Sequence, residues 1–281
     1  MFVVSRIAAV SAAALLMSAT AASAEETRVR ARYDLTLAGF SIGAASMQAG
    51  VDGKAYDMNV SVRLTGLARF LTGGRGAATS RGVLEAARPV PSAYAINTKS
   101  GDKGQVIRFA LASDAVSQLS VEPPSKTNGI VPLTEADKKG IVDPVSALMM
   151  PAPAGADPLT SAACDRVLPV FDGRQRFDVT LRYDRTEDVK AAKSGAGQYS
   201  GKAVVCKASY KAIAGHKPGR KQVTFLESNR DMEIWLAPVA GTRALLPWKI
   251  AVRTEVGLAV IQASSFVVGA PADRTARGAD L

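Results

Sequence analysis

One run constrains this chain more than any other. Between Arg174 and Tyr183 the residues alternate strictly in character, with Phe177, Val179, Leu181 and Tyr183 on one side and Arg176, Asp178, Thr180 and Arg182 on the other. A period of two places successive side chains on opposite faces of an extended strand, so one face is buried and one is solvated. The turn pair Asp172-Gly173 precedes the run, and the short apolar stretch Val167-Leu168-Pro169-Val170 precedes the turn, which together predict a hairpin. A second alternating run sets Val204, Cys206, Ala208 and Tyr210 against Val205, Lys207, Ser209 and Lys211. The chain's 2 cysteines, Cys164 and Cys206, bracket this region.

The same alternation recurs from the start. Val29, Ala31, Tyr33, Leu35 and Leu37 alternate with Arg28, Arg30, Arg32, Asp34 and Thr36. After a weaker run of small residues over Ala44 to Gln48 and a turn at Gly53, Tyr56, Met58, Val60, Val62 and Leu64 oppose Asp57, Asn59, Ser61 and Arg63. Further strands are predicted at Thr79 to Glu85, Ser92 to Lys99, Val106 to Leu111 and Ala115 to Val121, with a hairpin connection at Gly101-Asp102-Lys103-Gly104. Toward the end, Met232, Ile234 and Leu236 alternate with Glu233 and Trp235, and Trp248, Ile250 and Val252 with Lys249, Ala251 and Arg253. Gly257 permits a turn before a strand over Leu258 to Val268. The fold class expected is all-β, and a flat sheet of about eleven strands would leave an apolar face open, so the antiparallel sheet should curl into a half-barrel or open barrel.

Three stretches interrupt the pattern. Gly66, Gly73, Gly74 and Gly76 surround an apolar Leu67 to Leu71 and read as a loop or short helix at a sheet edge, because no phosphate-binding glycine motif is present. Residues 123–163 hold 7 of the 14 prolines, which strand interiors exclude, so a short helical insertion is predicted there. Thr134 with Asp137 resembles a capping box, and Asp143 with Pro144 suits the start of a helix over Val145 to Met150 that shows Leu148, Met149 and Met150. Gly215 to Lys221 reads as a basic turn.

The address is written at the front. Arg6, an apolar run from Ile7 to Ala19 and Ala22-Ser23-Ala24 have the order of a signal peptide (residues 1–24) cleaved after Ala24, and no cysteine follows to take a lipid. Residues 25–270 should then form a single β-barrel-like domain, with a disordered tail over 271–281. The mature chain carries 34 basic against 25 acidic residues, which favours anionic envelope surfaces over nucleic acid. In an oxidising compartment the two cysteines read as one disulfide, closing a loop of roughly 40 residues and contributing about 4 kcal/mol on the chain-entropy argument.

Catalytic signals are sparse. His216, the single histidine, lies among Lys217, Arg220 and Lys221, and no carboxylate stands nearby in sequence to orient it as a general base. The serine elbow, the zinc-protease helix and metal-spaced ligand clusters are absent, and Asp172 and Asp178 are accounted for by a turn and a solvated strand face. No cofactor is expected, and no catalytic or metal-binding residue is assigned.

With Tyr33-Asp34-Leu35, Gly39, Ile42-Gly43, Asp143-Pro144, Cys164, the Pro169 to Arg174 stretch, Cys206 through Gly215-His216 and Met232 to Leu236, the chain resembles a family of uncharacterised exported proteins of Gram-negative bacteria, a domain of unknown function. The resemblance covers most of residues 28 to 268. It implies an envelope protein with a curled sheet similar to that of the periplasmic lipoprotein carriers, which hold acyl chains in an apolar half-barrel. The function expected is therefore a non-catalytic periplasmic one: binding a lipid, acyl chain or lipidated partner in the concave apolar face. The lining expected is Tyr33, Leu35, Met58, Val60, Val62, Leu148, Met149, Phe177, Val179, Leu181, Trp248 and Ile250. Two alternatives stand beside it, a scaffold meeting anionic envelope polymer through its basic face and an enzyme of unfamiliar type near His216.

Overall fold

The computed structural model describes residues 26–65, 74–85, 88–152, 157–190 and 199–269. The signal peptide, the tail from 271 and most of the glycine-rich loop (residues 66–73) lie outside them, while Gly74 and Gly76 begin a strand.

Seven strands follow one another as a meander: β1 (Thr27–Leu37), β2 (Phe40–Asp52), β3 (Ala55–Leu64), β4 (Gly74–Leu84), β5 (Pro89–Ser100), β6 (Lys103–Ala112) and β7 (Ala115–Glu122). A connection with the two-residue β8 (Met150–Pro151) leads to a second meander. This comprises β9 (Arg166–Phe171), β10 (Arg176–Val189), β11 (Gly201–Ala214), β12 (Met232–Pro238), β13 (Ala244–Thr254) and β14 (Gly257–Gly269). Each neighbour pairs antiparallel, and the two meanders join where the first strand meets the last, giving the order β7-β6-β5-β4-β3-β2-β1-β14-β13-β12-β11-β10-β9. With β8 on β13 the described residues make a 14-stranded sheet, three strands more than the alternation marks.

The sheet curls because its apolar residues need partners. Val29, Ala31, Tyr33 and Leu35 of β1 are buried together with Met47, Met58, Tyr94 and Phe109 of the first meander and Phe171, Val205, Trp235, Leu246 and Trp248 of the second. The Phe109 ring lies 5.5 Å from Phe171 although their strands sit near opposite ends of the sheet path. The edge strands β7 and β9 do not pair with each other. The connection runs between them: the Gly140 N–H donates to Asp114 O at 2.8 Å, and Val142 donates to Pro169 O at 3.0 Å and accepts from the Phe171 N–H at 2.9 Å. Gly173 is required beside this gap, for its φ is +94° and an added Cβ would lie 2.3 Å from Ile107 Cγ2.

The expected helices of the insertion are single 3-10 turns, at Ala136–Lys138, Ser146–Leu148 and Ser161–Ala163. The Thr134 and Asp137 pair forms, with the Thr134 N–H and hydroxyl donating to Asp137 Oδ2 at 2.8 and 2.7 Å. Val145 to Met150 stops short of a helix because Met150 pairs as β8 with Leu245 of β13, and Pro151 follows. The one α-helix among the described residues, α1 (Lys221–Ser228), begins where the basic turn ends and buries none of its residues completely.

Cys164 and Cys206 form a disulfide with Cα atoms 5.7 Å apart. It pins the end of the insertion to β11 within a second apolar cluster, on the opposite face of the second meander from the interior. Tyr183, expected beside Leu181 on the apolar face, is 39% exposed, lying just past Leu181 and Arg166, the last pair between β10 and β9.

Candidate functional site

The twelve residues predicted to line one concave cavity do not converge on one place. Tyr33, Leu35, Met58, Met149 and Trp248 are buried in the interior cluster, with Val60, Val62 and Leu148 packed against it. That interior is occupied by the chain's own groups. Tyr33 donates its hydroxyl hydrogen to Pro247 O at 2.7 Å, Tyr94 and Phe109 lie 4.9 Å apart, and Ile141, Val145 and Met149 enter from the connection. Leu181 is buried in the other cluster, with Phe177, Val179 and Ile250 at its margin. Trp248 and Ile250, one face by simple alternation, lie on opposite sides of the sheet. The cause is a β-bulge, since Trp235 pairs with Lys249 and the next residue, Leu236, with Pro247, leaving Trp248 without an opposite.

Leu148, Phe177, Val179, Leu181 and Ile250 do meet, in a groove of about 270 Å³ on the outer face of the second meander. Strands β10, β11, β12 and β13 form its floor through Phe177, Val179, Ala208, Ile234, Ile250 and Val252, and the Pro144 to Met150 turn forms one wall. Its lining is almost wholly carbon. Glu233 lies at the edge, and its carboxylate accepts from Lys207 Nζ at 2.5 Å and Arg185 at 3.4 Å. Burial raises the Glu233 pKa, but these two cations more than offset it and hold the carboxyl below its ordinary value.

The wall is held from behind by a buried polar knot that sequence reading did not anticipate. Asp143 and Ser146 are fully buried, and Ser80 of β4 and Tyr56 of β3 nearly so. Asp143 Oδ1 accepts the Val145 and Ser146 N–H groups, each at 2.9 Å. Its Oδ2 contacts the hydroxyls of Ser80, at 2.7 Å, and Ser146. Ser146 Oγ further contacts Tyr56 OH at 2.6 Å and Ser80 Oγ at 2.7 Å. Three hydroxyl hydrogens serve these four oxygen–oxygen contacts. Burial raises the Asp143 pKa, against the four donors that favour the ion, and pushes Tyr56 up to about 12. The knot therefore ties the first meander to the turn: Val145, Ser146 and Met149 point into the interior while Pro144, Ala147, Leu148 and Met150 line the groove. Only the Asp143-Pro144 pair signalled it in the sequence, because serines and tyrosines on alternating strands have no local signature.

His216 lies beyond β11, where its carbonyl accepts the Val131 N–H at 2.9 Å. Its Nδ1 is buried without a hydrogen-bond partner among the described residues. Asp172 is a turn residue, its Oδ1 accepting the Arg174 and Gln175 N–H groups at 2.7 and 2.6 Å, and Asp178 pairs with Arg176 at 2.7 Å. Among the described residues no helix is long and apolar enough to cross a membrane.

A protein-family model described as "Protein of unknown function (DUF3108)" matches residues 32–264. No curated protein matches the chain. A solved structure similar to it is a "Beta-barrel-like Protein of Domain of Unknown Function DUF1849" from Brucella abortus, at 10% identity, covering 86% of this chain and 98% of that one with a TM-score of 0.47.

Proposed function

The chain belongs to the DUF3108 family, and we propose that this member is a non-catalytic periplasmic protein that binds a single acyl chain, of a lipid or a lipidated partner, in the groove beneath the Pro144 to Met150 turn. The observation that carries the reading is the chemistry of the groove: it is walled almost entirely by carbon, on a sheet face that the described residues cover only in part. At about 270 Å³ it lies just below the roughly 300–1,000 Å³ of organic-ligand sites, which suits one chain rather than a pair. Each methylene taken from water contributes about 0.8 kcal/mol, so a short length of chain suffices for useful affinity. The signal-peptide pattern and the disulfide support the periplasmic address.

The test is uptake of a fluorescent fatty acid by the purified mature protein, with Ala208→Trp to fill the groove floor. We expect saturable, stoichiometric uptake by the native chain and at least a tenfold weaker affinity for the variant at an unchanged melting temperature. Equal uptake by both, or none by the native chain, sinks the reading.

A further inference from the structure

We infer that the rim of the sheet carrying the β1–β2 and β13–β14 turns is a docking edge for an anionic phospholipid surface, and that the apolar groove opens toward it. This deepens the groove reading and rests on it only for what the docked protein exchanges.

The topology gathers the rim. In the order β13-β14-β1-β2-β3-β4-β5-β6, the β13–β14, β1–β2 and β5–β6 turns all leave the sheet at one end. The first two touch, since the Ala38 N–H donates to Leu258 O at 2.9 Å. On these two tips the chain exposes large apolar side chains: Phe40 is 77% exposed, Val256 71% and Leu258 38%. Hairpin tips normally carry small or polar residues.

Behind the tips lies a row of cations. Arg63 of β3 pairs in register with Arg75 of β4, and Arg75 with Lys99 of β5, so three like charges stand directly opposite one another. Such a row destabilises a sheet unless something anionic offsets it. None of the three has an ion-pair partner among the described residues, and with Arg32 they line an outer-face hollow of about 690 Å³ that holds a single carboxylate, Asp34. Arg63 stands opposite Ala44, four residues from Phe40 along β2, or about 13 Å at the rise of an extended chain. On the other side of the tips, Lys217, Arg220 and Lys221 lead into α1, which the Asn229 amide ties to this same end by donating to Arg253 O at 2.8 Å. The carboxylates nearby are fewer: Asp102 and Glu255 on the tips, Asp231 paired with Arg253 at 3.8 Å, and Glu227 accepting the Ala212 N–H.

Apolar tips with cations set behind them match the boundary of a bilayer with acidic headgroups, where apolar side chains reach about 5–10 Å inward and cations meet phosphate. An anionic polymer would engage the cations and leave Phe40 and Val256 in water. The groove supplies a second link. Ile250 and Val252 lie on its floor, and two residues beyond Thr254 the same strand direction ends at Val256 on the tip. An acyl chain entering from the rim passes one hydroxyl, that of Thr254, which is already bonded to Gly257 O at 2.7 Å, before it meets the carbon of the groove.

The experiment is flotation of the full mature chain with vesicles of phosphatidylcholine alone or mixed with phosphatidylglycerol. We expect binding to the anionic vesicles, about tenfold or more weaker for Phe40→Ser with Val256→Ser, and weaker by about fivefold for each cation removed in Arg63→Ser and Arg75→Ser. All four positions lie on the surface, and unchanged melting temperatures establish that the variants fold. No preference for anionic vesicles overturns the inference, as does full binding by the Phe40→Ser, Val256→Ser chain. Salt-sensitive binding to soluble polyphosphate that survives that double change assigns the rim to a polymer and likewise overturns it. Fatty-acid uptake measured without vesicles separates the two readings: uptake without docking removes the rim alone, and docking without uptake removes the groove alone.

Discussion

The two meanders differ in how many faces they bury. In the first, β1 reads buried and exposed in turn, and the outward residues Arg30, Gln48, Asn59 and Thr79 stand in one cross-strand row facing solvent. In the second, Ala203, Val204, Val205 and Cys206 are all buried, as are Ala244, Leu245 and Leu246, with successive residues entering different clusters. A sheet covered on both sides reads as a continuous apolar run, and one covered on a single side alternates. The insertion is the cover, and it falls short of the end of the second meander. That shortfall is the groove.

If the two halves depend on each other through the interior, the largest effect should come from Phe171→Ala, which removes the ring that reaches Phe109 across the gap. We expect a loss of about 3–5 kcal/mol in urea unfolding, with both halves melting in one transition. Separate transitions would show two independent units instead. Next in size, replacing both Cys164 and Cys206 by Ala should cost about 2–4 kcal/mol. Hydrogen exchange should then accelerate over residues 142–171 and β11, while β2, β3 and β4 keep their protection; uniform acceleration would erase the distinction between the halves. The smallest effect is a pH dependence. Because burial raises the Asp143 pKa, its contribution to stability is complete below the ordinary value of 3.8 and is lost as pH rises through the raised value. Asp143→Asn lacks that titration, so the stability gap between native and variant chains should narrow as pH rises; a constant gap would mean the carboxyl stays ionised within the fold.

Much of this was legible because alternation is a local property. The inward residues of β1 and β3, the Asp172-Gly173 turn and the Gly101-Asp102 turn announce themselves within a few positions. What escaped depends on partners distant in the chain. The bulge that sends Trp248 inward and Ile250 outward arises where Trp235 meets Lys249, and neither segment shows it alone. The helix α1 stayed hidden because its Val223, Phe225 and Leu226 are only half-buried against β11 and give a weak stripe. The five expected lining residues that meet in the groove were chosen as though the sheet had one apolar face, and their separation from Tyr33, Met58 and Trp248 required knowing that a second face was covered.

The pairing of β1 with β14 also orders the chain in time. Ten residues of β1, Arg28 to Leu37, take their partners from Ala259 to Gly269, so a lengthening chain can zip β1 to β7 in sequence yet leaves the flank of β1 unsatisfied until the final strand arrives. Contacts spanning nearly the whole sequence form slowly, and an unpaired flank meanwhile invites strands from other molecules. The seam at the centre of the sheet is thus the last to close in synthesis, and a chain cut short before β14 leaves β1 and β13 each with a flank that β14 would otherwise pair.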